Sequence, residues 1–360
     1  MSNTNKRIFL SPPFVGAAER AAVRGAFDSG YVAPCGPQVD EFERRLAKLA
    51  GRKYAVAVSS GTAAIDLLMA ELGVDEKWTV VAPTLTFVAT VGPAFHRGAK
   101  LVFVDSDATG DIDISLLEKT LESLRGKMLV IGVDLYGNCC DYGAIAKLCR
   151  KFGAVFVTDA AEAVGATRDG RPAGSAGLAG VYSFNGNKIV TTSGGGAIVT
   201  DDCGLAERAK KRSQQSREKC AWYEHKEVGY NYRLSNILAA IGLAQLDRLP
   251  AILKKRKANY DWYARNFTGD LLAPTPGANH WLTVAVLSSC RERDKLLRRF
   301  EAADIEARPV WKPLHLQPVF AKCRVFGGEV AEALFERGMC LPSGTGLKSC
   351  DFARIATCLK

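Results

Sequence analysis

The chain has 360 residues and a mass of 38.8 kDa, more than the roughly 250–300 residues at which one hydrophobic core stops growing, so two domains are expected. Hydrophobic residues at 48% and charged residues at 24% exclude long disorder, collagen and coiled coil. The 48 Lys and Arg against 38 Asp and Glu leave a net charge of +10, which suits a nucleic acid or an anionic small molecule without choosing between them.

The opening segment MSNTNKRIFL has no apolar signal core, and no uninterrupted apolar run approaches the ~20 residues of a membrane span. A soluble, cytoplasmic protein is expected. Short β-rich runs then recur at Tyr54–Val58, Thr79–Ala82, Leu101–Val104, Met128–Val133 and Ala154–Val157. Stretches of helical character lie between them, at Thr62–Glu71, Thr86–Arg97, Ile114–Leu124 and Tyr142–Phe152. This alternation predicts parallel strands joined by right-handed crossovers, apolar throughout because both sheet faces are covered. Two closer strands follow at Gly180–Phe184 and Ala197–Thr200, separated by NGNKIVTTSGGG. A long helix is predicted from Leu234, where Leu234, Ile237, Leu238 and Ile241 recur at helical spacing, with Pro250 kinking or ending it. Residues 1–250 are thus read as a large α/β domain and 251–360 as a smaller α+β domain.

Several chemistries fail on pattern. A P-loop is absent, and the glycines of Gly174–Gly180 precede a strand where a dinucleotide fingerprint would follow one. The acidic runs Asp105–Asp107 and Asp111–Asp113 read as solvated turns rather than a metal site. The eleven cysteines contain no C-x-x-C pair and read as reduced thiols without a metal. No helix-turn-helix, zinc finger or RNA-binding motif supports a nucleic-acid partner.

One constellation remains. Lys188 follows a strand and precedes a Gly-rich turn, Asp159 ends the strand AVFVTD, and Ser59–Thr62 (SSGT) joins a strand to a helix start. A lysine, an acid and a helix N-terminus that can bind phosphate are what pyridoxal phosphate requires. Each alone has a plain reading, as a solvated cation, a turn-forming acid and an ordinary N-cap.

The segments SSGTAA (59–64), TLTFVAT (84–90), DAAEAVGA (159–166), YSFNGNKIVTTSGGG (182–196), GYNYRLSNILAAIGLAQL (229–246) and RPVWKPLHLQP (308–318) resemble the DegT/DnrJ/EryC1/StrS sugar aminotransferases. The resemblance runs from Ile8 to beyond Pro342 and implies a fold-type I pyridoxal phosphate enzyme. With LSPPFVGAAE (10–19), it looks most like transaminases that aminate a UDP-linked 4-keto-6-deoxy-N-acetylhexosamine in bacillosamine biosynthesis. A dTDP-linked 3- or 4-keto-6-deoxyhexose is the alternative substrate. The resemblance implies that Lys188 carries the cofactor and moves the proton, and that Asp159 pairs with the pyridine nitrogen. Glu162 faces the ring hydroxyl and Phe87 stacks on the ring, while Gly61, Thr62 and Ser183 bind the phosphate. Asn231 reaches the phosphate of a partner subunit, which makes the enzyme a homodimer with composite sites; a helix cap is its plain reading. Arg233, Arg308, Trp311 and His315 are implied substrate contacts, with L-glutamate as amino donor. The basic stretch 209–219 is expected to be a solvated helix face that helps attract the anionic substrate.

Overall fold

The computed structural model describes residues 6–360; the segment MSNTN, part of the reading for a leader, lies outside them. Helices α1 (Ala17–Asp28) and α2 (Pro37–Ala50) precede an alternation of β1 (Tyr54–Val58), α3 (Gly61–Leu72), β2 (Trp78–Pro83), α4 (Gly92–His96), β3 (Lys100–Val104), α5 (Ile114–Ser123), β4 (Lys127–Val133), α6 (Tyr142–Phe152) and β5 (Val155–Asp159). A short hairpin, β6 (Thr167–Arg168) and β7 (Arg171–Pro172), leads to β8 (Ala179–Ser183), β9 (Gly196–Thr200), α7 (Cys203–Arg212) and the long α8 (Asn236–Asn266). The remainder is β10 (Asp270–Leu271), β11 (Thr283–Val286), α9 (Cys290–Ala302), β12 (Arg308–Pro309), β13 (Arg324–Phe326), α10 (Glu329–Arg337), β14 (Gly338–Leu341) and α11 (Ser349–Leu359).

The main sheet has the order β1-β9-β8-β5-β4-β2-β3-β13. Its pairs from β8 to β13 are parallel, and β9 alone runs against the rest. Strand β4 shows why the runs are apolar without alternation. Met128 and Val130 pack into the core on one face, Leu129 and Ile131 into the core on the other, as a sheet covered on both sides demands. A second sheet, β10-β11-β14-β12, is antiparallel and packs with α9 and α11 around Phe300, Leu341 and Ile355. The fold is therefore α/β, a mostly parallel central sheet with a smaller α+β part.

Several elements differ from the sequence expectation. The helix placed at Thr86–Arg97 is a single 3-10 turn at Val88–Thr90 followed by the short α4. Pro93 pre-sets the backbone of a helix start, so helix begins only at Gly92 and Phe87 stays extended. Helix α8 begins at Asn236 and continues through Pro250 to Asn266. The missing Pro250 hydrogen bond costs up to ~3 kcal/mol, offset by burial of Leu246, Leu249 and Ile252 around it. The expected boundary at 250/251 thus falls inside a helix, and β13, from beyond it, extends the main sheet beside β3.

Over the first turns of α8, up to Gln245, the buried positions are small or polar, among them Ala239, Ala240, Gly242 and Gln245, while Ile237, Leu238 and Ile241 stay half-buried. A Cβ on Gly242 would stand 2.6 Å from the Phe42 ring, so a large residue there has no room. By length and composition α8 is also long and apolar enough to cross a membrane, although Asp247 and Arg248 interrupt its apolar run and half of that stretch is buried inside the fold. The acidic turns are solvated only in part, with Asp107 and Asp113 partly exposed. Asp105 and Asp111 are buried, and Asp105 accepts the N–H groups of Val330 and Ala331 at the start of α10.

Candidate active site

The C-terminal ends of β1, β4, β5 and β8 open onto one cavity of about 250 Å³. It is lined by Ser60, Gly61 and Thr62, by Phe87 and Thr90, by Asp159 and Glu162, and by Ser183 and Lys188. Ligand groups of open α/β sheets gather at this edge because the strand ends and helix starts leave polar groups and side chains there.

The acids are buried and each is held. Asp159 accepts the Thr90 hydroxyl at 2.7 Å and the Ala161 N–H at 3.2 Å; the Thr90 hydroxyl also meets that of Thr86 at 2.8 Å. Glu162 accepts the Tyr136 N–H at 2.8 Å, and its other oxygen lies 3.4 Å from Lys188 Nζ. Burial pushes both carboxyl groups above the ordinary range, opposed at Asp159 by the Thr90 hydrogen bond and at Glu162 by the charge of Lys188. A cation placed between them would therefore be strongly favoured.

At the other end, α3 starts as a polar N-terminus. Ser60 Oγ caps the Ala63 N–H at 3.0 Å, which leaves the Gly61 and Thr62 N–H groups without partners inside the helix. Anions bind such helix starts. The glycines here are required by close approach. A Cβ on Gly61 would meet that of Ser183 at 3.0 Å, and one on Gly196 would stand 2.4 Å from the Ser60 carbonyl carbon.

Of the remaining expected residues, Trp311 lines the cavity, tilted against Phe87 with ring centres 5.3 Å apart. Arg308 lines a neighbouring cavity of about 390 Å³ and pairs with Glu306 at 2.7 Å. Two expected substrate contacts are corrected. Arg233 is buried, bound to Glu43 at 2.6 Å and to the Ala57 carbonyl at 2.9 Å, and reaches neither cavity. His315 is held between the Thr84 hydroxyl (2.7 Å) and Glu332 (2.9 Å), away from both. Asn231 is exposed and outside its own chain's cavity; Ser235 rather than Asn231 occupies the N-cap position of α8. The basic stretch 209–219 is partly neutralised, with Lys210 on Glu43, Lys211 on Glu218, and Arg212 on Glu71 and Glu227.

Sequence reasoning missed Thr90, Tyr136, Asn187 and Trp281. Thr90 stood in view inside TLTFVAT, four residues after Thr86. Trp281 had no motif around it. Asn187, Trp281 and Trp311 line both cavities, and Tyr136 stacks between the two indoles at 6.5 Å from each.

A lysine, two buried acids and a polar helix start around one cavity, on a mostly parallel α/β sheet, define the fold-type I class of pyridoxal phosphate enzymes. The sequence pattern of the DegT/DnrJ/EryC1/StrS aminotransferase family matches residues 13–360, and the chain belongs to that family. EpsN of Bacillus subtilis, assigned as a pyridoxal phosphate-dependent aminotransferase, is 40% identical, over 98% of this chain and 94% of its own. GDP-perosamine synthase of Caulobacter vibrioides is 34% identical, over 98% and 97%. UDP-4-amino-4,6-dideoxy-N-acetyl-beta-L-altrosamine transaminase of Campylobacter jejuni (strain 81-176) is 36% identical, over 64% and 62%. Among solved structures, the pyridoxal phosphate form of Spr1654 from Streptococcus pneumoniae, assigned as a sugar aminotransferase, superposes with a TM-score of 0.90 at 28% identity, covering 99% of this chain and 98% of that one. The chain is a pyridoxal phosphate-dependent sugar aminotransferase. Its residues fit the cofactor: among the described residues, Lys188 is the cation that opposes the desolvation of the buried Asp159, and the Gly61–Ser183 contact leaves the helix start open where a side chain would close it.

Proposed function

We propose that the enzyme transfers an amino group from L-glutamate to the 4-keto carbon of a UDP-linked 4-keto-6-deoxy-N-acetylhexosamine, giving the 4-amino sugar of a bacillosamine-type pathway. The observation that carries the chemistry is the Lys188 amine standing in one cavity with Asp159, Glu162 and the start of α3. The substrate reading rests on the resemblance of the sequence and on the name of the Campylobacter relative, which states a UDP-linked 4-amino-4,6-dideoxy sugar.

Bound pyridoxal phosphate supplies an electron sink that lets the carbon bearing the amino group lose a proton. Lys188 Nζ would take up that proton and return it to the cofactor carbon bonded to the same nitrogen, the two positions a single amine can serve in turn. Asp159 keeps a positive charge on the ring nitrogen, and Glu162 faces the ring hydroxyl. Phe87 covers the ring and, with Trp281 and Trp311, excludes water. Gly61, Thr62 and Ser183 bind the phosphate. The 390 Å³ cavity beyond the indoles, with Arg308 on its wall, gives an anionic sugar nucleotide both room and a guanidinium to meet.

The active unit is a homodimer in which Asn231 completes the partner's phosphate site. Its exposure, together with that of Trp222, Tyr223 and Val228 on the same segment, supports this reading, because such apolar surface is seldom left to water. The enzyme is cytoplasmic, where sugar nucleotides are made.

A GDP-linked keto sugar is the second reading, favoured by a GDP-perosamine synthase that matches along 97% of its length. Assaying purified enzyme with L-glutamate against UDP-, GDP- and dTDP-linked 4-keto-6-deoxy sugars separates them. Fastest turnover with the UDP-linked N-acetyl sugar is expected; preference for either other nucleotide would refute the substrate assignment.

A further inference from the structure

Lys188 is held from outside its own loop. Its amine stands 4.1 Å from the centre of the Trp281 ring, on the segment leading into β11. The same indole donates its Nε1–H to the carbonyl oxygen of Asn187, 2.7 Å away, and Asn187 is the residue before the lysine. That carbonyl accepts a second hydrogen bond, from Ser11 Oγ at 2.7 Å. Ser11 Oγ in turn accepts from Arg256 Nη2 on α8 at 2.9 Å.

Arg256 is the unusual member. It is fully buried and, among the described residues, has no carboxylate partner. Its Nη1 donates to the carbonyl oxygens of Trp281 (2.9 Å) and Ser343 (2.7 Å), and its Nε to the Thr345 hydroxyl (3.1 Å). Burial without a counter-charge pushes its guanidinium down to about 9. An apolar residue would fill the same space without that desolvation. What a guanidinium alone offers is a rigid fan of donors, and here the fan joins the N-terminal arm, the Trp281 segment and the loop after β14.

We propose that Trp281 is a positioning residue for Lys188, fastening the peptide before the lysine with its N–H and aiming the amine into the cavity with its ring, and that Ser11 and Arg256 are its support. A lysine side chain is long and free to rotate, and an aromatic face attracts its ammonium from a fixed direction. The inference rests on Lys188 being the cofactor-bearing residue, and Trp281, Ser11 and Arg256 take no part in the chemistry itself.

The test uses the full chain stripped of cofactor. On addition of pyridoxal phosphate, the rate at which the visible band of the lysine-bound cofactor appears reads the placement of the amine; kcat, KM and melting temperature are measured alongside. Trp281→Leu is expected to slow band formation and kcat about tenfold or more, with KM changed by less than about threefold. Trp281→Phe, which keeps a ring but loses the N–H, should fall between Trp281→Leu and wild type. Ser11→Ala should slow band formation about threefold, one hydrogen bond's worth. A purely structural role would lower the melting temperature while leaving rates per folded site at wild-type values; that result overturns the proposal. Should Trp281→Leu not fold, Ser11→Ala decides, and band formation at the wild-type rate in that variant overturns it equally. Lys188→Ala is the control: a band that persists in this variant refutes the assignment of the lysine, whereas its loss leaves the role of Trp281 to be judged on its own variants.

Discussion

Asp134, directly after β4, is completely buried and accepts the Tyr142 hydroxyl at 2.5 Å and the Cys140 N–H at 3.0 Å. Burial pushes its carboxyl up to about 7, against about 3.9 in an unfolded chain. Between those values the folded state keeps a proton that the unfolded state has released, so this residue's contribution to stability is lost as pH rises through that window. Melting curves from pH 4 to 8 should show the wild type losing more of its transition temperature than Asp134→Asn; parallel curves would contradict this. Thr90 acts in the opposite sense on Asp159, since its hydrogen bond holds that acid down. Thr90→Val should lower kcat about tenfold, the cost of a buried bond to a charged group, and move the acid limb of the pH–rate profile upward. An unmoved limb would remove Thr90 from the site. That Lys188, Asp159 and Glu162 meet in one cavity was legible because their motifs fix both residue type and order. Arg233 and His315 were misread because a sequence does not say whether a cation meets a phosphate or a carboxylate such as Glu43, far away along the chain.

Among elements, β9 against the start of α3 is the tightest contact near the phosphate end. Gly196→Ala would bring a Cβ to 2.4 Å from Ser60 backbone, and backbone cannot yield as a flexible side chain can. This variant should bind pyridoxal phosphate at least about tenfold more weakly and melt lower, since steric strain of about 1–3 kcal/mol falls on the helix start itself; titration followed by the visible band of the bound cofactor and a melting curve measure both. Affinity and stability equal to wild type would show that α3 shifts freely. The parallel strands and α5 and α6 were readable from apolar runs and helical spacing. The short α4, the uninterrupted α8 and the place of β13 were not: Pro93 delays the start of α4, packing around Pro250 outweighs its break, and β13 pairs with a strand distant in sequence.

At the scale of the molecule, the two-domain expectation is blurred by α8 and β13, which tie the C-terminal part to the main sheet. The +10 charge is a net figure that ion pairs such as Arg212 with Glu71 and Glu227 leave unchanged, and an excess of this sign suits the phosphate of the cofactor. If sites are shared between subunits, mixing the inactive Lys188→Ala and Asn231→Ala proteins should restore up to about a quarter of wild-type activity, from heterodimers holding one intact site. No recovery after subunit exchange would contradict composite sites.

The central claim is that the amine of Lys188 both carries the cofactor and moves the proton, and absorbance during the separate half-reactions tests it most directly. Wild-type enzyme given L-glutamate should lose its visible band with stoichiometric 2-oxoglutarate, and addition of the keto sugar nucleotide should restore it, while Lys188→Ala does neither. Both changes occurring in Lys188→Ala at the wild-type rate would contradict the account.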